Sequence, residues 1–328
     1  MLRYINPKSM ILSLIIVQNL ISVTQGQLRV GFYSQSCPTA ESIVRSAIKE
    51  FVKLNTKNAA ILLRLQFHDC FVEGCDASIL INKDGNESET QASGNAGVEG
   101  FDIIEDVKAR LEGVCPGVVS CADIVALAAR DALSMVNGPL YEVPTGRRDG
   151  RVSMKSLANN IPEVDDSIKL LKSKFSQKGL SDKDLVLLSG GAHTIGFTAC
   201  FFMQKRLYNF TDAPGGGSDP AIDPHFLPKL KAMCPFGEVE SKIPLDPVTK
   251  FIFDDKIFRN IKKGFAVIAS DARLNDDINT KQILDSYITT GSRKSFKADF
   301  AEAMVKMGNI GVKTGQDGEI RRVCGTVN

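Results

Sequence analysis

Tryptophan is absent from the 328 residues and histidine occurs only three times, at His68, His193 and His225, so any imidazole chemistry comes from that short set. Neither sign of charge is in excess, since 40 Lys and Arg face 38 Asp and Glu. That balance leaves no electrostatic footprint for nucleic acid, and a polyanionic partner is not expected. A clean apolar run of about 20 residues, as a membrane span needs, is missing because Gln18 and Asn19 interrupt the stretch that begins at Met10. Strand-like alternation is sparse, no internal repeat occurs, and no Gly- or Pro-bearing stretch has linker composition. Paired C-x-x-C spacing with matching histidines is absent, which disfavours a zinc cluster. An H-E-x-x-H motif and a nucleophile elbow are absent too, so a zinc or calcium hydrolase ranks last.

What is present is ordinary for a globular chain: 43% apolar and 24% charged residues exclude disorder and collagen. Arg3 and Lys8 precede an apolar stretch that ends near Val23, with Thr24-Gln25-Gly26 following. This order predicts a secretory signal peptide over residues 1–26. Its removal takes away two bases and no acid, leaving equal numbers of each. All eight cysteines lie beyond that point, and an even set in a secreted chain predicts four disulfides. Sequons at Asn86 and Asn209 agree with that compartment. Apolar spacing predicts helices over 59–71, 121–130 and 295–307, the last with Phe296, Phe300, Ala303, Met304 and Met307 on one stripe. Pro162 marks a boundary between two lobes, because the residue before a proline resists helix.

The chemistry begins in Arg64-Leu65-Gln66-Phe67-His68-Asp69-Cys70. On a helix, positions four apart share a face, so Arg64 and His68 would point into one cavity beside Phe67. Asp69, Asp76 and Ser78 bracket a short cysteine loop whose Val72 and Gly74 carbonyls could join them around one calcium ion. The second centre is Ser189-Gly190-Gly191-Ala192-His193-Thr194. Small residues around His193 suit close approach of a flat, bulky cofactor, and haem is the natural candidate. Asp271 could accept a hydrogen bond from the other ring nitrogen. A further oxygen cluster, Asp246 to Asp254 with Thr194, also fits calcium.

Segments 64–78, 189–196, Cys121-Ala122-Asp123, Gly146-Arg147-Arg148-Asp149 and 246–254, with the eight cysteines in order, resemble a plant-type secretory (class III) haem peroxidase from about Gln27 to Cys324. The resemblance implies an all-α, two-lobed fold with one haem b between the lobes. The distal lobe would be 27–162 plus the C-terminal helix, and the proximal lobe 163–294. It pairs Cys37 with Cys115, Cys70 with Cys75, Cys121 with Cys324 and Cys200 with Cys234. By position, His193 is the axial iron ligand with Asp271 behind it. Arg64 and His68 form the distal catalytic pair, Asn95 orients His68, Glu89 supports Asn95 through the distal calcium region, and Phe67 shapes the pocket. The Pro162 carbonyl would accept a hydrogen bond from a phenol. Two calcium ions are implied, one at Asp69, Val72, Gly74, Asp76 and Ser78, the other at Thr194, Asp246, Thr249, Ile252 and Asp254. Asp123 and Arg147 resemble a structural ion pair.

The expected activity is reduction of hydrogen peroxide, with one-electron oxidation of small phenolic donors through a ferryl intermediate. The competing reading is a secreted, calcium-stabilised protein of the same fold without turnover. A monomer is expected, without nucleic acid and without membrane attachment after cleavage. Only 325–328 follow Cys324, which favours the extracellular space over the vacuole. Four features depart from the family pattern, one being that the segment from Asn95 to Phe101 is a residue shorter than in some members. The Ser189 to His193 run carries one extra small residue, 263–271 is about two residues longer than in shorter members, and Tyr141 stands where tryptophan is common. His225 reads as a surface residue.

Overall fold

A computed structural model describes residues 28–82, 87–211, 216–289 and 295–328. The proposed signal peptide and Asn86 lie outside them, whereas Asn209 is exposed. Helix α1 (Ala40–Leu54) buries Val44, Ala47, Ile48 and Val52 on one face. Helix α2 (Asn58–Phe71) follows and carries the first histidine motif. Helices α3 (Phe101–Glu112) and α4 (Cys121–Ser134) complete the first half, and Ser120 caps α4 by accepting the Asp123 amide. Every residue of α4 from Cys121 to Leu133 is buried. A helix buried on all sides runs through the core, and α4 is packed by both α1 and α2.

Beyond Pro162 the chain re-enters helix at α5 (Ile168–Gln177), capped by the Ser167 hydroxyl. Next come α6 (Asp182–Val186), α7 (Gln204–Tyr208), α8 (Leu227–Met233), α9 (Lys256–Lys262), α10 (Ala269–Arg273), α11 (Ile278–Ile288) and α12 (Phe296–Met307). The one sheet among the described residues is small: β1 (Phe197–Ala199) pairs antiparallel with β2 (Lys242–Pro244), Phe197 opposite Pro244. The expected stripe on α12 is buried in full, and the helix expected over 121–130 runs one turn further, to Ser134. All four expected disulfides are present, Cys37–Cys115, Cys70–Cys75, Cys121–Cys324 and Cys200–Cys234. No helix of the described residues is long and apolar enough to cross a membrane.

One large apolar core takes residues from Tyr33 to Cys324, and a second gathers around the Cys200–Cys234 disulfide with Met203, Phe226 and Leu245. Asp123 and Arg147 pair at 2.8 Å, both fully buried. The pair is closed by further bonds: Tyr33 donates to Asp123 at 2.7 Å, and Arg147 donates to the Gly308 carbonyl just past α12. The desolvation penalty of such a pair is repaid only when its remaining donors and acceptors are satisfied. In this fold the pair ties α4 to the end of α12.

Candidate active site

Helix α2 presents Arg64 and His68 one turn apart, with the Phe67 ring edge-on to the imidazole at 5.2 Å between centroids. His68 is buried, and its Nδ1 lies 2.6 Å from Asn95 Oδ1. The direction of that bond follows from the asparagine's other contact. Asn95 Nδ2 donates to the Glu89 backbone carbonyl at 2.8 Å, so Oδ1 is the accepting end, Nδ1 of His68 carries the proton, and Nε2 keeps its lone pair. Burial, then the charge of Arg64, push the His68 pKa down to about 3, against the upward pull of the Asn95 bond. The imidazole is therefore a neutral base at ordinary pH. Arg64 donates to the carbonyls of Gly97 at 2.7 Å and Ala96 at 3.0 Å. Burial lowers its basicity, yet a guanidinium stays protonated.

Glu89 meets Asn95 through its backbone carbonyl, while both its carboxylate oxygens are buried without a hydrogen bond beside the first oxygen set. Pro162 is half-buried beside Ile161, whose side chain packs on Gly94 in the turn Ser93–Asn95.

The second centre follows α6. Leu187–Gly191 forms a π-turn in which the Ala192 amide bonds back to the Leu187 carbonyl. An i to i+5 turn holds one residue more than an α-turn, so one wide turn leads directly into Ala192 and His193. The expectation that these small residues clear space for a cofactor is corrected. A Cβ on Gly190 would lie 2.8 Å from Leu274, and one on Gly191 2.9 Å from Phe296. Both glycines exist to let the wide turn press against the core.

His193 Nδ1 sits 2.8 Å from Asp271 Oδ1 despite the lengthened 263–271 segment. The carboxylate accepts, so Nδ1 holds the proton and Nε2 is left free. Asp271 is fully buried, whereas the His193 side chain is 29% exposed. An imidazole anchored from behind by a carboxylate through Nδ1, with Nε2 facing away from that bond, fits a ligand of haem iron.

The first oxygen set converges around the Cys70–Cys75 loop. Gly74 has φ +123° and lies against the Gly311 backbone, where no side chain fits. Both Asp69 oxygens, the Ser78 hydroxyl and both Glu89 oxygens are buried with no hydrogen-bond partner. Burial, then the charge of Asp76, raises the Asp69 carboxyl well above the usual range. Burial raises Glu89 to about 8, against the lowering influence of the nearby Ser78 hydroxyl. Unpaired buried carboxylates cost several kcal/mol each, so this donor set fits a hard cation. No three His, Cys, Asp or Glu side chains of the described residues form a metal cluster by themselves. Such an ion would therefore also need the Val72 and Gly74 carbonyls.

The second set is tighter. The Thr249 hydroxyl lies 3.2 Å from Asp246 and 3.1 Å from Asp254 with one proton between them, and Thr194 lies 3.4 Å from the Ile252 carbonyl. All five residues expected there meet. Asn260, which also donates to Asp246 at 2.9 Å, was not anticipated, nor was Ser153, which accepts the Glu89 amide at 3.1 Å. Neither belongs to a motif, and only the fold brings them in. His225 is exposed, as expected.

A family model described as Peroxidase matches residues 44–290. Peroxidase 43 of Arabidopsis thaliana is 57% identical over 321 residues, covering 97% of each chain. Peroxidase 13 of the same plant is 56% identical over 323 residues, 98% of this chain and 99% of its own. Peroxidase N1 of Nicotiana tabacum is 45% identical over 330 residues, 99% of this chain and 98% of its own. These likenesses favour turnover over the reading of a peroxidase-like fold without it. The chain belongs to the peroxidase family and is an enzyme of it, a plant class III haem peroxidase.

Proposed function

We propose that the enzyme reduces hydrogen peroxide with Arg64, His68 and Asn95 acting on the peroxide, that His193 backed by Asp271 would hold the haem, and that its donors are small phenols. Haem, when bound, supplies the electron chemistry toward peroxide and donor. His68 Nε2 takes a proton from incoming hydrogen peroxide and returns it to the departing oxygen, which requires a neutral ring. Asn95 holds that ring in the Nδ1–H form. Arg64 offsets the negative charge that develops as the O–O bond breaks heterolytically. Asp271 makes His193 a more basic ligand. The Pro162 carbonyl accepts the phenol hydroxyl, and Phe67 forms a wall of the pocket.

Two calcium ions complete the reading, at Asp69, Val72, Gly74, Asp76 and Ser78 and at Thr194, Asp246, Thr249, Ile252 and Asp254. The orphaned oxygens of Asp69, Ser78 and Glu89 support the first. We further propose a distal lobe of 27–162 plus the last helix and a proximal lobe of 163–294. The mature protein is a monomer delivered outside the cell and off the membrane after loss of residues 1–26. Four disulfides support an oxidising compartment.

The observation that carries the catalytic reading is the Asn95-held, proton-free Nε2 of His68. Replacing His68 with Ala is expected to slow haem oxidation by peroxide by roughly 10²–10⁴-fold, the usual worth of a positioned proton carrier, with haem content unchanged. Stopped-flow absorbance at equal rates for both proteins would remove the role.

A further inference from the structure

Two ammonium groups touch the first oxygen set, and neither belongs to its motif. Lys313 Nζ pairs with Asp76 Oδ2, and Lys178 Nζ donates to the Val72 carbonyl at 2.7 Å. The two contacts differ in kind. A carbonyl keeps a second lone pair, so Lys178 and a cation can share Val72. Each Asp76 oxygen already has one partner, Oδ1 accepting the Ser78 amide at 3.1 Å and Oδ2 holding Lys313, so a cation there shares the carboxylate with an ammonium charge. Asp69, Glu89 and Ser78, by contrast, have oxygens with no partner.

The lysine is also fixed in place. Its backbone carbonyl accepts the Arg148 amide at 2.8 Å, forming a bridge between the two segments. Its side chain lines a cavity of about 210 Å³ with Glu73, Arg151, Val152 and Gly318, and this cavity reaches Asp76. Asp76 is 1% exposed, while the Lys313 side chain is 31% exposed. One positive charge therefore stands between solvent and one wall of the oxygen set.

We propose that Lys313 is a resident counter-cation of this site, which weakens the hold of calcium there and speeds its exchange. The proposal rests on the reading of Asp69 to Ser78 as a calcium site. A divalent ion that ligates Asp76 shares that carboxylate with an ammonium group, and repulsion at such separations in a half-buried setting far exceeds its value in water. When the ion leaves, Lys313 still balances Asp76, so the depleted loop carries one less unpaired charge.

The test uses the full haem-loaded protein, titrated with calcium against a chelating indicator. Variants Lys313→Met and Lys313→Gln, which lack the charge, are expected to bind calcium about tenfold more tightly or better and to release it more slowly. Calcium-depleted Lys313→Met should melt lower than depleted wild type, and Lys313→Arg should match wild type throughout. Affinity in both neutral variants that equals or falls below wild type overturns the role of Lys313 while leaving the calcium site standing. Wild-type protein that takes up no calcium, or keeps all of it in an Asp69→Asn variant, overturns the site and the proposal together.

Discussion

At the scale of single residues, the distal histidine is governed by three neighbours whose effects can be ranked. Burial and Arg64 push its pKa down to about 3 from an ordinary 6.5, and the Asn95 bond opposes them without winning. The folded pKa lies below the unfolded one, so the unfolded chain binds the extra proton between them. Stability from this group is fully present above about 6.5 and is lost as pH falls toward 3. The same pKa predicts that the rate of reaction with peroxide stays level through the mildly acid range and drops only as pH passes about 3, which a stopped-flow pH series measures. Asn95→Val removes the bond that raises basicity and frees the ring to turn. We expect a peroxide reaction slower by about tenfold or more, with haem content unchanged. On the other side, Asp271→Asn keeps the hydrogen bond but loses the anion. The less basic ligand should raise the ferric–ferrous potential, on the order of tens of millivolts, in spectroelectrochemistry.

Among the elements, the π-turn at Leu187–Gly191 sets the register of His193. An additional residue in a regular helix would rotate His193 by about 100° and carry it off Asp271. The one wide turn leaves the 2.8 Å contact in place. The turn demands glycine where it meets Phe296 and Phe258. Gly191→Ala should therefore destabilise the protein by about 1–3 kcal/mol, the usual penalty of overpacking a filled core, read from urea unfolding. Helix α4 is tied down differently. Its buried Asp123 receives bonds from Tyr33, Gly146 and Arg147, so Arg147→Met strands a buried carboxylate. The expected loss is about 3–5 kcal/mol by the same measurement.

For the whole molecule, disulfides and close backbone contacts act together around the proposed calcium site. The Cys70–Cys75 loop, the Gly74–Gly311 contact and the bond from the Gly150 amide to the Asp76 carbonyl draw three distant stretches around one oxygen set. That set begins at Asp69, next to His68. Stripping calcium with a chelator should lower the melting temperature and disturb the haem absorption band. An unchanged melt and spectrum would show that the loop holds its shape without the ion. The Cys121–Cys324 bridge closes the longest loop, spanning 203 residues. It binds the start of α4 to the chain's last segment.

Much of this was legible in the linear chain because it depends on local spacing. The i, i+4 placement of Arg64 and His68, the apolar stripe of α12 and the even cysteine count are one-dimensional facts that helix geometry and redox chemistry convert directly into structure. Residue type alone also pointed to oxygen-loving cations. Other features depend on which distant groups meet, and no periodicity encodes that. Only folding decided that Glu89 would support Asn95 by its backbone, that Gly190 would face Leu274 and Gly191 the ring of Phe296, and that Lys313 would reach Asp76 from 237 residues away. Hydrogen bonds and charges act over a few ångströms of space, so partners far apart in the chain are chosen by the tertiary packing that brings them within reach.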